Sequence, residues 1–217
     1  MTVTQASPML APVPAELLAR WQRIPVAVAV DLAPAQQISP AIRPLRPAGQ
    51  QPHLCARAVT VHCIAPDFGA VLHAIGQTGP GQVLVIAAAG HAANAMIGDV
   101  LGGQLHAQGA AGIICDGAIR DTASLASFDN FSVYSRHITP RGPTSAAHGA
   151  VNVAVSFGGC VVQPGDLILG DDDGLVTLPI NRLAELIDAA EDKLRLEADW
   201  SRRLAAGDPV SSIFGLD

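Results

Sequence analysis

The chain has 217 residues, with 19 acidic and 13 basic side chains, a formal charge of −6 and only 4% aromatic residues. That length suffices for one sizeable core without requiring two domains, and scattered basic residues in an acidic chain argue against nucleic acid as a direct ligand. No apolar run reaches the length of a membrane span and no basic-then-hydrophobic leader opens the chain, so a cytoplasmic location without membrane contact is expected.

The first twelve residues, MTVTQASPMLAP, are expected to be a flexible lead-in. From Pro14 to Arg23, Leu17, Leu18 and Trp21 recur at helical spacing behind a helix-start proline, which predicts a short amphipathic helix. An apolar run, Val26 to Leu32, then leads into a proline-punctuated loop holding Arg43 and Arg46. His53 to Ile64 alternates and reads as a strand. Its His53, Cys55, His62 and Cys63 are zinc-ligand types, but a period of two puts His62 and Cys63 on opposite faces, which argues against a shared ion. The four cysteines include no CxxC pair and are expected to be reduced and structural.

Asp67 to Ile75 reads as a short helix, and Pro80-Gly81 turns the chain into Val83 to Ala87, a continuous apolar strand of the buried kind. A glycine-bearing loop from Gly90-His91 then leads to a helix over Asp99 to Gln108, with Asp99 at or near its cap. Such a helix start offers free amides and the positive end of a dipole to a carboxylate or phosphate. The lone histidines suit satisfied surface or core positions better than ligand roles, and His91, close to that loop, is the one candidate for lining a pocket there. The dinucleotide fingerprint and the Walker motif are both absent from the chain, and Gly102 and Gly103 suit close helix packing.

The most informative stretch is Gly109 to Asp121, GAAGIICDGAIRD. Ala110 to Cys115 reads as a buried strand ending at an Asp116-Gly117 turn, with Arg120 and Asp121 just beyond. A guanidinium can grip a carboxylate through two hydrogen bonds, and an aspartate is a hard oxygen ligand for Mg²⁺ or Mn²⁺. The same pair also suits an exposed, salt-bridged turn. Further on come a short helix over Thr122 to Phe128, a strand over Phe131 to Ser135, a rigid turn over Thr139 to Thr144, and strand alternation over Val151 to Val155. A short strand from Cys160 to Val162 precedes Leu167 to Leu169 and Leu175 to Leu178, which are joined as a hairpin at Asp171-Asp172-Asp173-Gly174. Those aspartates lack the spacing of an EF-hand loop. A long helix, about Asn181 to Ala206, carries the apolar stripe Leu183, Leu186, Ile187, Ala190 and Leu194, and its Trp200 end is expected to lie across a neighbouring subunit.

Gly98-Asp99-Val100-Leu101, Gly109-Ala110-Ala111-Gly112, Asp116-Gly117-Ala118-Ile119-Arg120-Asp121, Thr139 to Thr144, Pro164-Gly165-Asp166 and Asp171 to Gly174 occur in an order that resembles the RraA-like family. That family includes the aldolases of 4-hydroxy-4-methyl-2-oxoglutarate and 4-carboxy-4-hydroxy-2-oxoadipate. The resemblance implies one domain over residues 1–217, a layered αββα α/β sandwich with a swivelling β/β/α core, assembled as a homotrimer or homohexamer. It also implies a class II pyruvate aldolase using Mg²⁺ or Mn²⁺ on a small-molecule 2-oxo acid substrate, a 4-hydroxy-2-oxo diacid cleaved to pyruvate, with oxaloacetate decarboxylation as a side activity. Carried over by position, Asp121 is the metal ligand and Arg120 the substrate-gripping arginine. Gly98 to Leu101 supply the amides for the pyruvate carboxylate. Asp99 is a second acid acting through water, and Glu197 or Asp199 is the acid donated by an adjacent subunit. The alternative implied by other members is a non-catalytic protein that binds and restrains a ribonuclease.

Overall fold

A computed structural model describes residues 2–7 and 12–216, with four parallel strands at its centre. In chain order the elements are β1 (Thr2–Gln5), α1 (Ala15–Trp21), α2 (Val26–Leu32), β2 (Arg43–Pro44), β3 (Leu54–His62), α3 (Gly69–Ile75), β4 (Gln82–Ile97), α4 (Asp99–Ala107) and β5 (Gly112–Ile119). There follow α5 (Thr122–Ala126), β6 (Ser132–Ile138), β7 (His148–Val151), β8 (Val155–Phe157), β9 (Cys160–Val162), β10 (Leu167–Asp171), β11 (Gly174–Leu178), α6 (Leu183–Ala205) and α7 (Val210–Phe214).

The main sheet runs β1-β7-β3-β4-β5-β6-β2, with β3 to β6 mutually parallel. Every residue of β5 is buried, because a central parallel strand is covered on both faces and must be apolar throughout. Three cores stack across the molecule. The first lies between the sheet and α3, α4 and α5, through Ala70, Val71, Leu105 and Leu125. The second lies on the opposite face, where Ile38, Ile42 and the β8–β9 hairpin meet Val83, Val85 and Ile114. The third joins β10 and β11 to α1, α2 and α6, through Trp21, Val28, Leu169, Val176 and Ile187. The β10–β11 hairpin sits between two cores because its side chains alternate, Ile168 facing one and Leu167 and Leu169 the other. Trp21 locks α1 to α6 by donating its indole N–H to the Leu183 carbonyl at 3.2 Å.

This is the expected α/β layering, with one change: the inner and outer β layers are one sheet, since β10 pairs antiparallel with β3 from Leu167↔Arg57 to Gly170↔Leu54. Other expectations need correction. The lead-in is not uniformly flexible, because β1 pairs parallel with β7, while residues 1 and 8–11 lie outside the described residues. The central strand does not stop at Asp116-Gly117 but runs on to Ile119. The polar pair is accommodated as a register shift against β4 and β6, and buried Asp116 is paired with Arg136 Nε at 2.5 Å. Likewise β4 continues through the expected loop to Ile97, with irregular pairing after Ala87. The alternation over Val151 to Val155 is split, because Asn152 takes a left-handed φ of 57° between β7 and β8. Gly102 does serve close packing, since a Cβ there would lie 2.4 Å from Leu125 Cδ2, whereas a Cβ on Gly103 would make only an ordinary contact with Phe128 at 3.6 Å. All four cysteines are free, and burial pushes the thiols of Cys55 and Cys63 up to about 12. They are therefore protonated at neutral pH and are not poised as nucleophiles.

One buried carboxylate holds the loop before β7 against α3. Asp67 is 5% exposed and accepts hydrogen bonds from the amides of Gly69, Ala147 and His148 at 2.8, 2.9 and 3.1 Å, and from Ser145 Oγ. Burial alone would raise its pKa, but these donors outweigh it and hold the carboxyl well below the usual carboxylate range. Stability from a lowered carboxylate pKa is present above the unfolded value of about 3.9 and is lost as pH falls. Asp67→Asn is expected to cost about 2 to 4 kcal/mol at pH 7. In urea denaturation followed from pH 7 down to pH 3, the wild type should lose stability more steeply with acid than the variant.

Candidate active site

The predicted site residues converge where β4 and β5 end side by side, at the carboxyl ends of parallel strands, where open α/β sheets bind ligands. Arg120 follows β5 directly, and its amide donates to the Ile97 carbonyl at the end of β4 at 3.1 Å. Asp121 comes next in a left-handed conformation, φ 56° and ψ 41°, and opens α5. Aspartate tolerates that region better than most residues, and strain of this kind is stored at functional positions. The two side chains meet, Arg120 Nε lying 3.2 Å from Asp121 Oδ2, and are 41% and 37% exposed. The same Oδ2 accepts the Asp99 amide at 3.3 Å.

Gly98 caps α4 from an extended conformation, so the helix begins at Asp99, as expected. A Cβ on Gly98 would stand 2.3 Å from Asp121 Oδ2 and 2.8 Å from Arg120 Cγ. Both side chains occupy the space that this missing side chain leaves. The Gly102 amide donates to Gly98 O at 2.9 Å, whereas the amides of Val100 and Leu101, in the first turn, have no acceptor within the helix.

A second glycine, missed by the sequence reading, completes the slot. A Cβ on Gly142 would lie 2.7 Å from Arg120 Nη1, so the 139–144 turn presses backbone against the guanidinium. That turn is held from β4: Asn94 Nδ2 donates to Gly142 O at 2.6 Å, and the Ala95 amide donates to Arg141 O at 2.8 Å. Asn94 is 6% exposed. The rigidity of Thr139 to Thr144 was legible in its two prolines, but its partner was not, since nothing marks Asn94 within AANAM.

Beside Arg120 lies a cleft of about 290 Å³ lined by Phe68, Leu72, Met96, Gly98, Leu101 and Pro143, with Ala95, Ile97 and Val100 completing the wall. Of the predicted substrate contacts, Gly98, Val100, Leu101 and Arg120 border it, while Asp99, like the predicted metal ligand Asp121, stands outside its lining. His91 does not line it either; its Nε2 lies 3.2 Å from Asn94 Oδ1. Glu197 and Asp199 are not brought to the cleft within one chain. They lie on α6, where Glu197 is 3.6 Å from Lys193 Nζ and Asp199 contacts Arg202.

Among the described residues no group of three His, Cys, Asp or Glu side chains could hold a metal. A closed zinc-type site therefore does not fit, including the His62–Cys63 pattern. A magnesium-type cation does fit: it keeps several waters and needs only one or two protein carboxylates. Asp121 Oδ1 makes no hydrogen bond among the described residues, which leaves one hard oxygen of a part-exposed carboxylate available.

A family model described as Aldolase/RraA, RraA-like, matches residues 28–177. The chain belongs to the RraA-like family. A protein of Halalkalibacterium halodurans named "Putative 4-hydroxy-4-methyl-2-oxoglutarate aldolase" is 34% identical over 169 residues, which cover 78% of this chain and 79% of that one. A protein of the same name from Alcanivorax borkumensis is 35% identical over 121 residues, 56% of this chain and 74% of that one. Among solved structures, Streptomyces coelicolor RraAS2, described as an unusual member of the RNase ES inhibitor RraA protein family, superposes with a TM-score of 0.76 at 28% identity, covering 88% of this chain and all of that one. A protein of Pseudomonas syringae superposes with a TM-score of 0.78 at 22% identity, over 94% and 98% of the two chains, which shows the shared fold.

For this RraA-like chain, Gly98→Ala is expected to force Asp121 and Arg120 apart. A crystal structure of the variant should show their 3.2 Å contact broken. Its melting temperature should move by less than about 4 °C, because a part-exposed ion pair contributes only about 0–1 kcal/mol.

Proposed function

We propose that this protein is a divalent-metal-dependent class II aldolase that cleaves a 4-hydroxy-2-oxo acid to pyruvate and also decarboxylates oxaloacetate. The observation that carries the reading is the grouping of Arg120, Asp121 and the unpaired amides of Val100 and Leu101 around Gly98 at the strand ends. The aldolase names of two relatives support it and point toward a diacid substrate.

Both reactions leave the same three-carbon enolate, by breaking the bond between C3 and C4. Asp121, with Asp99 close by, would hold Mg²⁺ or Mn²⁺, which when bound supplies Lewis-acid stabilisation of the enolate charge. Arg120 grips the carboxylate of the pyruvate half through its planar fork, and the amides of Val100 and Leu101 donate to the same group. Contact with Gly98 and Gly142 keeps that fork in one orientation. Asp99 would accept the proton of the C4 hydroxyl through an intervening water.

In an assembled homotrimer or homohexamer, α6 of an adjacent subunit is the element that would bring Glu197 or Asp199 to the rim. A second reading, a non-catalytic regulator of a ribonuclease, takes its support from the likeness to Streptomyces coelicolor RraAS2, a member of a ribonuclease-inhibitor family. It requires neither Arg120 nor Asp121.

Pyruvate release from oxaloacetate and from 4-hydroxy-4-methyl-2-oxoglutarate, measured with Mg²⁺ and again with a chelator, tests the proposal. The expected result is activity that needs the metal and falls at least about 100-fold in Asp121→Ala, a loss of about 2.7 kcal/mol of transition-state stabilisation. Arg120→Lys should lose at least about tenfold, since a point charge cannot reproduce two parallel hydrogen bonds. Chelator-resistant activity, or full activity in Asp121→Ala, would refute the metal role.

A further inference from the structure

The hydrogen bonds of the 139–144 turn single out one side chain that acts on Arg120 from a distance. Pro140 and Pro143 have no N–H, so the turn can be tied down only through its other amides and its carbonyls. Main chain fixes its ends: the Thr139 amide donates to Ile119 O at 3.0 Å and the Thr144 amide to Pro66 O at 3.2 Å. Between those ends, among the described residues, the bonds come from β4, with the Ala95 amide donating to Arg141 O and Asn94 Nδ2 to Gly142 O. The first is made by backbone and follows from the strand itself. The second depends on a side chain, and it holds the residue that lies against the guanidinium, since a Cβ on Gly142 would be 2.7 Å from Arg120 Nη1.

Asn94 is itself held in one orientation. Only its nitrogen can donate to the Gly142 carbonyl, so its Oδ1 faces His91 Nε2, 3.2 Å away, and that ring nitrogen carries the proton. Ala92 and Ala93 between the two are exposed, whereas Asn94 opens a run of buried residues that continues to Ile97. An amide buried in this way costs free energy unless its polar atoms are paired, and here both are.

We propose that Asn94 is a positioning residue for Arg120: through Gly142 it sets the plane of the guanidinium, and His91 holds Asn94 in turn. The role rests on the aldolase reading above, in which Arg120 grips the pyruvate carboxylate. A fork that meets a carboxylate through two parallel bonds is sensitive to its own plane. Loosening the turn therefore weakens the hold on a group that substrate, enolate and pyruvate all share, and a loss common to ground state and transition state appears in KM with kcat little changed.

The test is a double-mutant cycle on oxaloacetate decarboxylation by the full-length protein with Mg²⁺, set beside calorimetric titration with pyruvate. Asn94→Leu, which keeps the branched shape but has no donor, is expected to raise KM at least fivefold with kcat within twofold, and to weaken pyruvate binding to the same extent. In an Arg120→Lys background the same substitution should change kcat/KM by less than twofold, because the fork it positions is gone. His91→Gln, which keeps a donor, should behave as wild type, and His91→Leu should raise KM at least twofold; that pair carries the cycle if Asn94→Leu does not fold. Equal losses in both backgrounds, or a lowered melting temperature with KM unchanged, would make Asn94 structural only and overturn the proposal. Wild-type protein that binds pyruvate but releases none from oxaloacetate would sink the aldolase reading alone, and the calorimetric change in Asn94→Leu would then decide the positioning role. Absence of both turnover and pyruvate binding would end both.

Discussion

Two missing side chains make the site possible. Arg120 and Asp121 lie where β-carbons on Gly98 and Gly142 would stand, 2.3 Å from Asp121 Oδ2 and 2.7 Å from Arg120 Nη1. The ion pair between Arg120 and Asp121 is part-exposed and contributes little by itself. The slot in turn depends on β4 and β5 ending together, since Gly98 follows one strand and Arg120 the other. The parallel pairing of two buried apolar strands is thus converted into a fixed distance between a helix start and an arginine.

The rest of the molecule holds that junction still. Helices α3, α4 and α5 cover the sheet face nearest the cleft, and α3 is tied to the loop before β7 through the buried carboxylate of Asp67. Asn94 does the equivalent for the 139–144 turn from within the irregular part of β4. Register shifts of this kind are over-represented beside active sites because they re-aim side chains that a regular strand would send to fixed faces. In this chain the irregularity after Ala87 returns Asn94 to the interior, where it reaches the Gly142 carbonyl. The β10–β11 layer with α1, α2 and α6 forms a separate core, and Glu197 and Asp199 on α6 are not among the residues lining the cleft of their own chain.

Much of the architecture was legible in the sequence. Runs such as Val83 to Ala87 and Ile113 to Cys115 are apolar without alternation because both faces are buried, and the stripe on α6 records one-sided packing. Arg120 and Asp121 were legible as a pair because they stand just past an apolar run, and Gly98 because it precedes a helix start. Asp116-Gly117 misled: a dipeptide that normally turns the chain is carried inside β5, where the Arg136 guanidinium and the Gly158 amide satisfy its carboxylate. Asn94 left no sequence signal and Gly142 was legible only as part of the 139–144 turn, since the two meet through a contact across 48 residues.

By itself the sequence determined most of the elements from β3 to the long terminal helix, the buried parallel core, the free cysteines and the neighbouring arginine and aspartate. These follow from local periodicity, turn chemistry and side-chain type, which act over a few residues. Only the tertiary structure decided that the two β layers share one sheet, that two glycines leave space for the arginine and aspartate, and that the adjoining cleft is walled by hydrocarbon. Those outcomes depend on distances between segments far apart in the chain, and such distances are fixed only when the layers pack.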